Sequence, residues 1–180
     1  MKKTRAKKPF ALPDEEILEV LDIEQRPLLL MPSKYALQQK LPLKSVLVAV
    51  RNRERKIYIC QRLQKKQSPS TSWNISAAGY VRAGESFEDA ALRKLAEEFA
   101  ITSLNVKLAA MKLPDPSAAN SHAALFLSTP AQVMIQPNPA EIAHGLFVDQ
   151  DELNALIRYM PELLSPALKW AAEACDLFQP

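Results

Sequence analysis

The sequence predicts one domain that mixes helices and strands, either an α+β fold or a three-layer α/β sandwich. Its 180 residues suit a single core and leave little room for a second domain. Apolar residues make up 48% and charged residues 24%, which are ordinary globular values and exclude general disorder. Strand-like and helix-like segments follow one another without regular alternation, which is typical of these two fold classes.

The chain begins with a basic segment. The first eight residues carry five of the 23 lysines and arginines and no acid, so the net charge of +3 belongs to this segment and the rest is slightly acidic. We expect residues 1–13 to be a disordered tail and residues 14–180 to be one domain, so a nucleic-acid partner is not favoured. The alternative for the basic segment is an arm that binds nucleic acid or a membrane. No secretory signal or membrane-spanning run occurs, which predicts a cytoplasmic protein with its two cysteines reduced.

The first half of the chain reads mainly as strands. Residues 15–23 predict a helix or a strand, and residues 28–31 predict a strand after a turn at Pro27. Ser33 follows Pro32 as a candidate N-cap for a short helix over residues 33–40. The apolar, β-branched residues 45–50 predict a buried strand, and residues 57–61 predict the strand that returns from it in a hairpin.

The second half contains the clearest helix signal, over residues 86–99. Ser86 and Asp89 form a capping pattern. Apolar residues then recur at helical spacing, namely Phe87, Ala90, Ala91, Leu95 and Phe99. We also predict strands over residues 106–111, 123–127 and 142–148, and closing helices over residues 151–157 and 165–175.

Glycine is scarce, and two of the three glycines open a motif. Average usage of about 7% predicts about a dozen in a chain of this length. From residue 79 to residue 101 the sequence resembles the Nudix box, G-x5-E-x7-R-E-U-x-E-E-x-G-U, in which U is aliphatic. The positions that match are Gly79, Glu85, Arg93, Leu95, Glu97, Glu98 and Ile101. Lys94 and Ala100 depart from the motif.

This resemblance implies a Nudix-fold α/β/α sandwich with a mixed sheet, which holds Mg²⁺ or Mn²⁺ on a diphosphate substrate. Carboxylate oxygens suit these hard cations, and helical spacing places positions 94, 97 and 98 on one face. The implied metal ligands are the carboxylates of Glu85, Glu97 and Glu98 and the backbone carbonyl of Ala78. Gly79 and Gly84 are expected to let the loop turn tightly, and Arg93 is expected to pair with Glu97.

The two departures have different consequences. The family's glutamate at position 94 is usually a metal ligand and sometimes the general base, but an ammonium at Lys94 repels Mg²⁺. Lys94 is spaced to pair with Glu98, and so can take the place of a cation. Ala100 replaces a glycine that ends the helix with a positive φ, at a cost of about 1 kcal/mol unless the helix ends differently.

Segments outside the box resemble the isopentenyl-diphosphate isomerase-like branch of the family. They lie at residues 19–27, 41–50, 57–62, 73–76, 141–148, 151–153 and 165–166. The catalytic groups of the isomerases are nevertheless missing, because their cysteine, histidines and glutamate pair fall at Ala78, Tyr80, Leu43 or Lys44, Ala119 and Ser121. Isomerase activity is therefore not expected, and Cys60 is interpreted as a small core residue.

What the resemblance implies is a hydrolase in which water attacks one phosphorus of a nucleoside diphosphate or another organic diphosphate. Glu97 and Glu98 are the candidate catalytic residues, and Glu141 is a candidate general base that could also be an ordinary loop acid. Substrate contacts are expected from Lys44, Arg51, Arg62 and Tyr80, although these residues could equally be hairpin charges and core packing. Trp73 and Phe126 have the same two interpretations, and His122 and His144 are more simply strand or surface residues.

A second hypothesis is a catalytically impaired Nudix domain that binds a diphosphate ligand or a partner protein, with Lys94 in place of the metal ion. A homodimer is possible by analogy with similar families.

Overall fold

The computed structural model describes residues 16–63, 72–112 and 121–179. The predicted tail, most of the polar loop at 64–72 and the proline-rich segment before residue 121 lie outside these ranges. The strands are β1 Ile17–Leu21, β2 Pro27–Pro32, β3 Leu43–Ala49, β4 Ile57–Arg62, β5 Trp73–Ile75, β6 Ala77–Tyr80, β7 Val106–Lys112, β8 Ser121–Ser128 and β9 Ile142–Val148. The helices are α1 Ser33–Gln38, α2 Phe87–Phe99, α3 Gln150–Tyr159, a 3₁₀ turn at Pro161–Leu163, and α4 Pro166–Ala174.

The strands form two sheets. The larger sheet is mixed, with the order β2-β1-β3-β8-β7 and with β6 also paired to β3. Strand β3 runs parallel to β8 and antiparallel to β6. The smaller sheet has the order β5-β4-β9 and is antiparallel.

The buried Ser76 joins the two sheets where the chain passes from β5 to β6. Its hydroxyl accepts a hydrogen bond from the Val50 N–H at 2.8 Å and donates one to the Tyr58 carbonyl. A buried polar group is tolerated when it is hydrogen-bonded in this way.

Helices cover both sides of the sheets, which confirms the predicted α/β/α sandwich. Alternate residues of β3 face opposite ways, as the period of two requires. Val46 and Val48 pack with Leu95 and Phe99 of α2, whereas Leu47 packs in the cluster that contains residues of α3 and α4. Burying a side chain of this size contributes roughly 1.5–3 kcal/mol.

Helix α2 ends at the predicted residue and begins at Phe87, one residue after the predicted start, with Ser86 as its N-cap. The Ser86 hydroxyl caps it by accepting the Asp89 N–H at 3.0 Å. At the other end Ala100 adopts the left-handed conformation, with φ 55° and ψ 28°. The N–H groups of Ala100 and Ile101 bond back to the carbonyls of Ala96 and Leu95, at 3.1 and 3.2 Å. The helix therefore ends as it would with glycine, in spite of the alanine.

Two local predictions are wrong. Ser33 is the first residue of α1 rather than its N-cap; Pro32 holds that position and no side chain caps the helix. The Ser33 N–H instead bonds to the Glu16 carbonyl at 2.8 Å, so this residue still belongs to the ladder between β1 and β2. The predicted hairpin of β3 and β4 is also wrong, because the two strands belong to different sheets. They are linked only next to the turn, where the Tyr58 N–H bonds to the Val50 carbonyl at 2.9 Å.

None of the helices within the described ranges combines the length and the apolar character needed to cross a bilayer.

Candidate functional site

The motif residues gather where α2 packs on β6. Gly79 lies inside β6, opposite Val46 of β3, and not in a turn. A Cβ atom on Gly79 would lie 2.6 Å from Cδ of Lys94, so the missing side chain makes room for the lysine stem. The expectation of a tight turn at Gly79 is therefore wrong, whereas Gly84 does need its freedom because its φ is +74°.

Glu85 and Arg93 hold the loop between β6 and α2. The Arg93 guanidinium donates to both Glu85 oxygens, at 2.7 and 2.8 Å, and to the Tyr80 carbonyl at 2.9 Å. The Arg82 N–H also donates to Glu85, at 2.9 Å. A forked pair of this kind is strong and orients both partners. Both carboxylate oxygens of Glu85 thus accept hydrogen bonds that hold this loop against α2.

Glu97 forms ion pairs with three cationic side chains. Lys94 Nζ lies 3.1 Å from Oε2, Arg93 Nη1 lies 3.3 Å from it, and Arg82 Nη2 lies 3.1 Å from Oε1. The predicted pair between Arg93 and Glu97 is present. The partner that the motif does not reveal is Arg82, which also bonds Glu16 at 2.9 Å.

Glu98 is fully buried and is bound on both sides. Arg62 of β4 donates to Oε2 at 2.8 Å, and Lys94 Nζ lies 3.0 Å from Oε1. The contact with Lys94 is an ion pair without hydrogen-bond geometry, so Oε1 of Glu98 accepts no hydrogen bond. Arg62 also approaches Glu141, with 3.7 Å between Nη1 and Oε2, which places the candidate base beside this cluster.

The pKa shifts follow from these contacts. Burial acts to lower the pKa of Lys94 and to raise that of Glu97. The ion pairs outweigh burial, so the pKa of Lys94 is raised, mainly by Glu98, and the pKa of Glu97 is lowered, mainly by Lys94. The pKa of Arg93 is raised chiefly by its hydrogen bond to Glu85. All these charged forms are therefore stabilised in the folded protein.

This arrangement does not fit a resident divalent ion. Mg²⁺ and Mn²⁺ need several oxygen ligands, yet no three acidic, histidine or cysteine side chains converge on one point in the described part of the chain. The oxygens of Glu85 and Glu97 already bind cationic side chains, and an ammonium stands between Glu97 and Glu98. Ala78 is part of β6 and is paired with Leu47.

The four predicted substrate contacts do not come together. Lys44, at the start of β3, pairs with Glu19 at 2.8 Å, and Arg62 binds Glu98. Arg51 follows the other end of β3, where it is buried and donates to the carbonyls of Ser128 and Gln179. The structure thus places Arg51 away from the glutamate cluster, with its guanidinium bonded to the C-terminal segment.

Tyr80 lines a cavity of about 440 Å³ on the side of the sheet that faces α4. Trp170 of α4 and Lys112 of β7 also line it, and Lys112 lies over the Trp170 ring at 5.9 Å. Gly79 lines this cavity and also contacts the Lys94 side chain. The backbone of β6 therefore separates the cavity from Lys94. The sequence did not predict Trp170 as a cavity residue, because its spacing indicates only an apolar residue of a helix.

The remaining candidates have ordinary surroundings. Cys60 is buried, and burial raises the pKa of its thiol to about 12, as expected of a core residue rather than a nucleophile. Phe126 is buried in the α2-side core. Trp73 lines a separate cavity against α3. His122 packs edge-on against Phe87 at 5.3 Å, and His144 is exposed on β9.

Known proteins resemble this chain in sequence and in fold. The chain is 28% identical over 131 residues to the isopentenyl-diphosphate Delta-isomerase of Brevibacterium linens, which covers 69% of this chain and 70% of that protein. Among solved structures, DR0079 from Deinococcus radiodurans superposes with a TM-score of 0.75 and 20% identity, over 89% of this chain and 99% of its own. A MutT NUDIX hydrolase from Burkholderia pseudomallei gives a TM-score of 0.55 and 18% identity, over 74% and 97%.

These two structures share the fold. The family itself is identified by the sequence pattern of the NUDIX domain, which matches residues 41–171. That range contains the whole motif on β6 and α2, as well as Arg62 and Glu141. The chain therefore belongs to the Nudix family.

Proposed function

We propose that this Nudix domain hydrolyses a phosphoanhydride bond of a nucleoside diphosphate or of another organic diphosphate. The observation that carries the proposal is the cluster that Glu97 and Glu98 of α2 form, through Lys94, with Arg62 and Glu141. This charged cluster suits the phosphates of a substrate.

In this proposal Arg62, which lies beside Glu98 and Glu141, contacts the phosphates. Lys44 and Tyr80 stay predicted substrate contacts. Glu141 takes a proton from water as the water oxygen attacks phosphorus, and the anhydride oxygen leaves with the departing phosphate. Glu141 is half-buried beside Arg62, and it has greater access to solvent than Glu98. Isomerisation is not proposed, because alanine and tyrosine replace the cysteine and histidine that it needs at positions 78 and 80.

Membership of the Nudix family implies a divalent metal cofactor, Mg²⁺ or Mn²⁺. The side chains described do not form a site for such an ion, and no step above depends on it. The possible homodimer and the cytoplasmic location remain predictions.

The test is phosphate release from a panel of nucleoside and other organic diphosphates, with Mg²⁺, with Mn²⁺ and with chelator. We expect Glu141→Gln to lower kcat about 100-fold or more, the usual effect of losing a general base. The matched control is Glu88→Gln, which removes an exposed carboxylate from the first turn of α2 and should leave the rate unchanged. An equal rate in wild type and Glu141→Gln would remove Glu141 from the mechanism.

The second candidate function is a diphosphate-binding or protein-binding module without catalysis. The specific observation in its favour is the ammonium of Lys94 between the two glutamates. Calorimetry on the same panel separates the two functions. Binding without phosphate release from any compound supports the module, whereas turnover excludes it.

A further inference from the structure

Lys94 is held far more firmly than a lysine on a helix surface. Its Nζ lies 3.0 Å from Oε1 of Glu98 and 3.1 Å from Oε2 of Glu97, and its side chain is only 13% exposed. Its stem lies against Gly79 so closely that even a methyl group there would collide with it. The ammonium is thus guided to its position by packing as well as by charge.

The charges around Lys94 are almost balanced. Within the described residues, one ion-pair network joins the carboxylates of Glu16, Glu85, Glu97, Glu98 and Glu141 to the cationic groups of Arg62, Arg82, Arg93 and Lys94. A glutamate at position 94, as the motif has it, would leave a strong excess of negative charge. Such an excess is what attracts a divalent cation into a carboxylate site.

The carboxylates that would bind an ion are also engaged. Glu97 contacts three cationic side chains and Glu98 contacts two. A divalent ion would have to displace the Lys94 ammonium from both glutamates and then remain close to it. A resident positive charge at this distance opposes that step strongly, because the surroundings are partly desolvated.

We infer that Lys94 is the resident cation of this site: its ammonium occupies the position between Glu97 and Glu98, so that α2 binds no divalent ion in the ligand-free protein. Removing the ammonium opens a divalent-cation site on these two glutamates. The inference concerns the ligand-free chain and holds whether or not the protein is a hydrolase.

The experiment measures Mn²⁺ binding to the full, ligand-free chain from the EPR signal of free Mn²⁺. We expect no Glu98-dependent binding in wild type, so that Glu98→Gln changes nothing. Lys94→Glu should gain one bound ion, with an affinity at least about 100-fold above that of wild type, since the local charge changes by two units. Adding Glu98→Gln to Lys94→Glu should abolish this gain.

The matched control is Lys107→Glu, which makes the same charge change at an exposed position of β7 and should gain no ion. If Lys94→Glu does not fold without metal, Lys94→Met replaces it, because this variant keeps the stem against Gly79 and should gain a weaker, Glu98-dependent site. Glu98-dependent Mn²⁺ binding by wild type overturns the inference. So does the absence of any gain in a folded Lys94 variant.

Discussion

At the scale of single residues, Gly79 and Lys94 form one packing unit. The motif has its first glycine at Gly79, and the obvious reason for a glycine before a loop is backbone freedom. In the structure the reason is space, because the Lys94 stem fills the position that a Cβ would take, 2.6 Å away. Gly84 shows the contrast: it has a φ of +74° and no atom within 4 Å of a built Cβ.

A double-mutant cycle tests this unit. Gly79→Ala should lower the free energy of unfolding by about 1–2 kcal/mol through overpacking. In a Lys94→Ala background the same change should cost at least about 1 kcal/mol less, because the clash is gone. Urea unfolding measures each variant.

Gly84→Ala is the control for the cycle. It should cost about 1 kcal/mol from its backbone conformation in either background. An equal cost of Gly79→Ala in both backgrounds would mean that Lys94 is not what requires the glycine.

At the scale of elements, α2 carries the site and is fastened at both ends. Ser86 caps its start. Near its end the N–H of Asn138 bonds to the Glu98 carbonyl at 2.8 Å, and that of Gln136 bonds to the Phe99 carbonyl at 3.3 Å. These bonds satisfy carbonyls that a helix end leaves open, so α2 is held against the segment before β9. Ala100 is an unfavourable feature of this helix end, because it has a Cβ atom and adopts φ 55°.

Ala100→Gly should therefore stabilise the protein by about 1 kcal/mol, because glycine adopts a positive φ without steric cost. The midpoint of thermal or urea unfolding measures the effect. Ala96→Gly, at an exposed position one turn earlier in α2, is the matched control and should destabilise by a similar amount. A loss of stability in Ala100→Gly would contradict the conformation described here.

At the scale of the whole molecule, the ion-pair network connects parts of the chain that are distant in sequence. It joins Glu16, which precedes β1, with Arg62 of β4, the loop after β6, helix α2, and Glu141 in the segment before β9. The pKa values of Glu85 and Glu97 are lowered and that of Lys94 is raised. The network therefore contributes to stability over a wide pH range and weakens at both ends.

The expected pH dependence follows from the signs of these shifts. Glu85 and Glu97 contribute stability that is present above pH 4.5, the ordinary pKa, and is lost as the pH falls through their lower folded values. Lys94 contributes stability that is present below pH 10.5 and is lost as the pH rises through its higher folded value. Unfolding free energies measured across this range should show both losses.

Lys94→Met isolates the alkaline part. It should lose less stability than wild type above pH 10.5, whereas Lys107→Met, at an exposed position, should follow wild type. Parallel curves for wild type and Lys94→Met in alkali would show that the ion pairs of Lys94 do not contribute in this way.

Several features of the fold and the site can be predicted from sequence because their causes are local. Helix α2, its serine cap and its αL end depend on residues a few positions apart. The pairs of Lys94 with Glu98 and of Arg93 with Glu97 span one helical turn and follow from geometry alone. Hydrophobic periodicity also predicts most strands, but it does not say which strands pair, so β3 and β4 are wrongly joined in a hairpin.

The sequence by itself determined that this is a Nudix domain with a lysine where its motif has a carboxylate, because the motif residues recur at fixed spacing. Only the tertiary structure decided what that lysine faces. Arg62 reaches Glu98 across 36 residues. Arg51 is buried just after the end of β3, whereas Lys44 lies near the start of that strand. Such contacts depend on how strands are ordered in the sheets and on which face each side chain takes, and no local pattern contains that information.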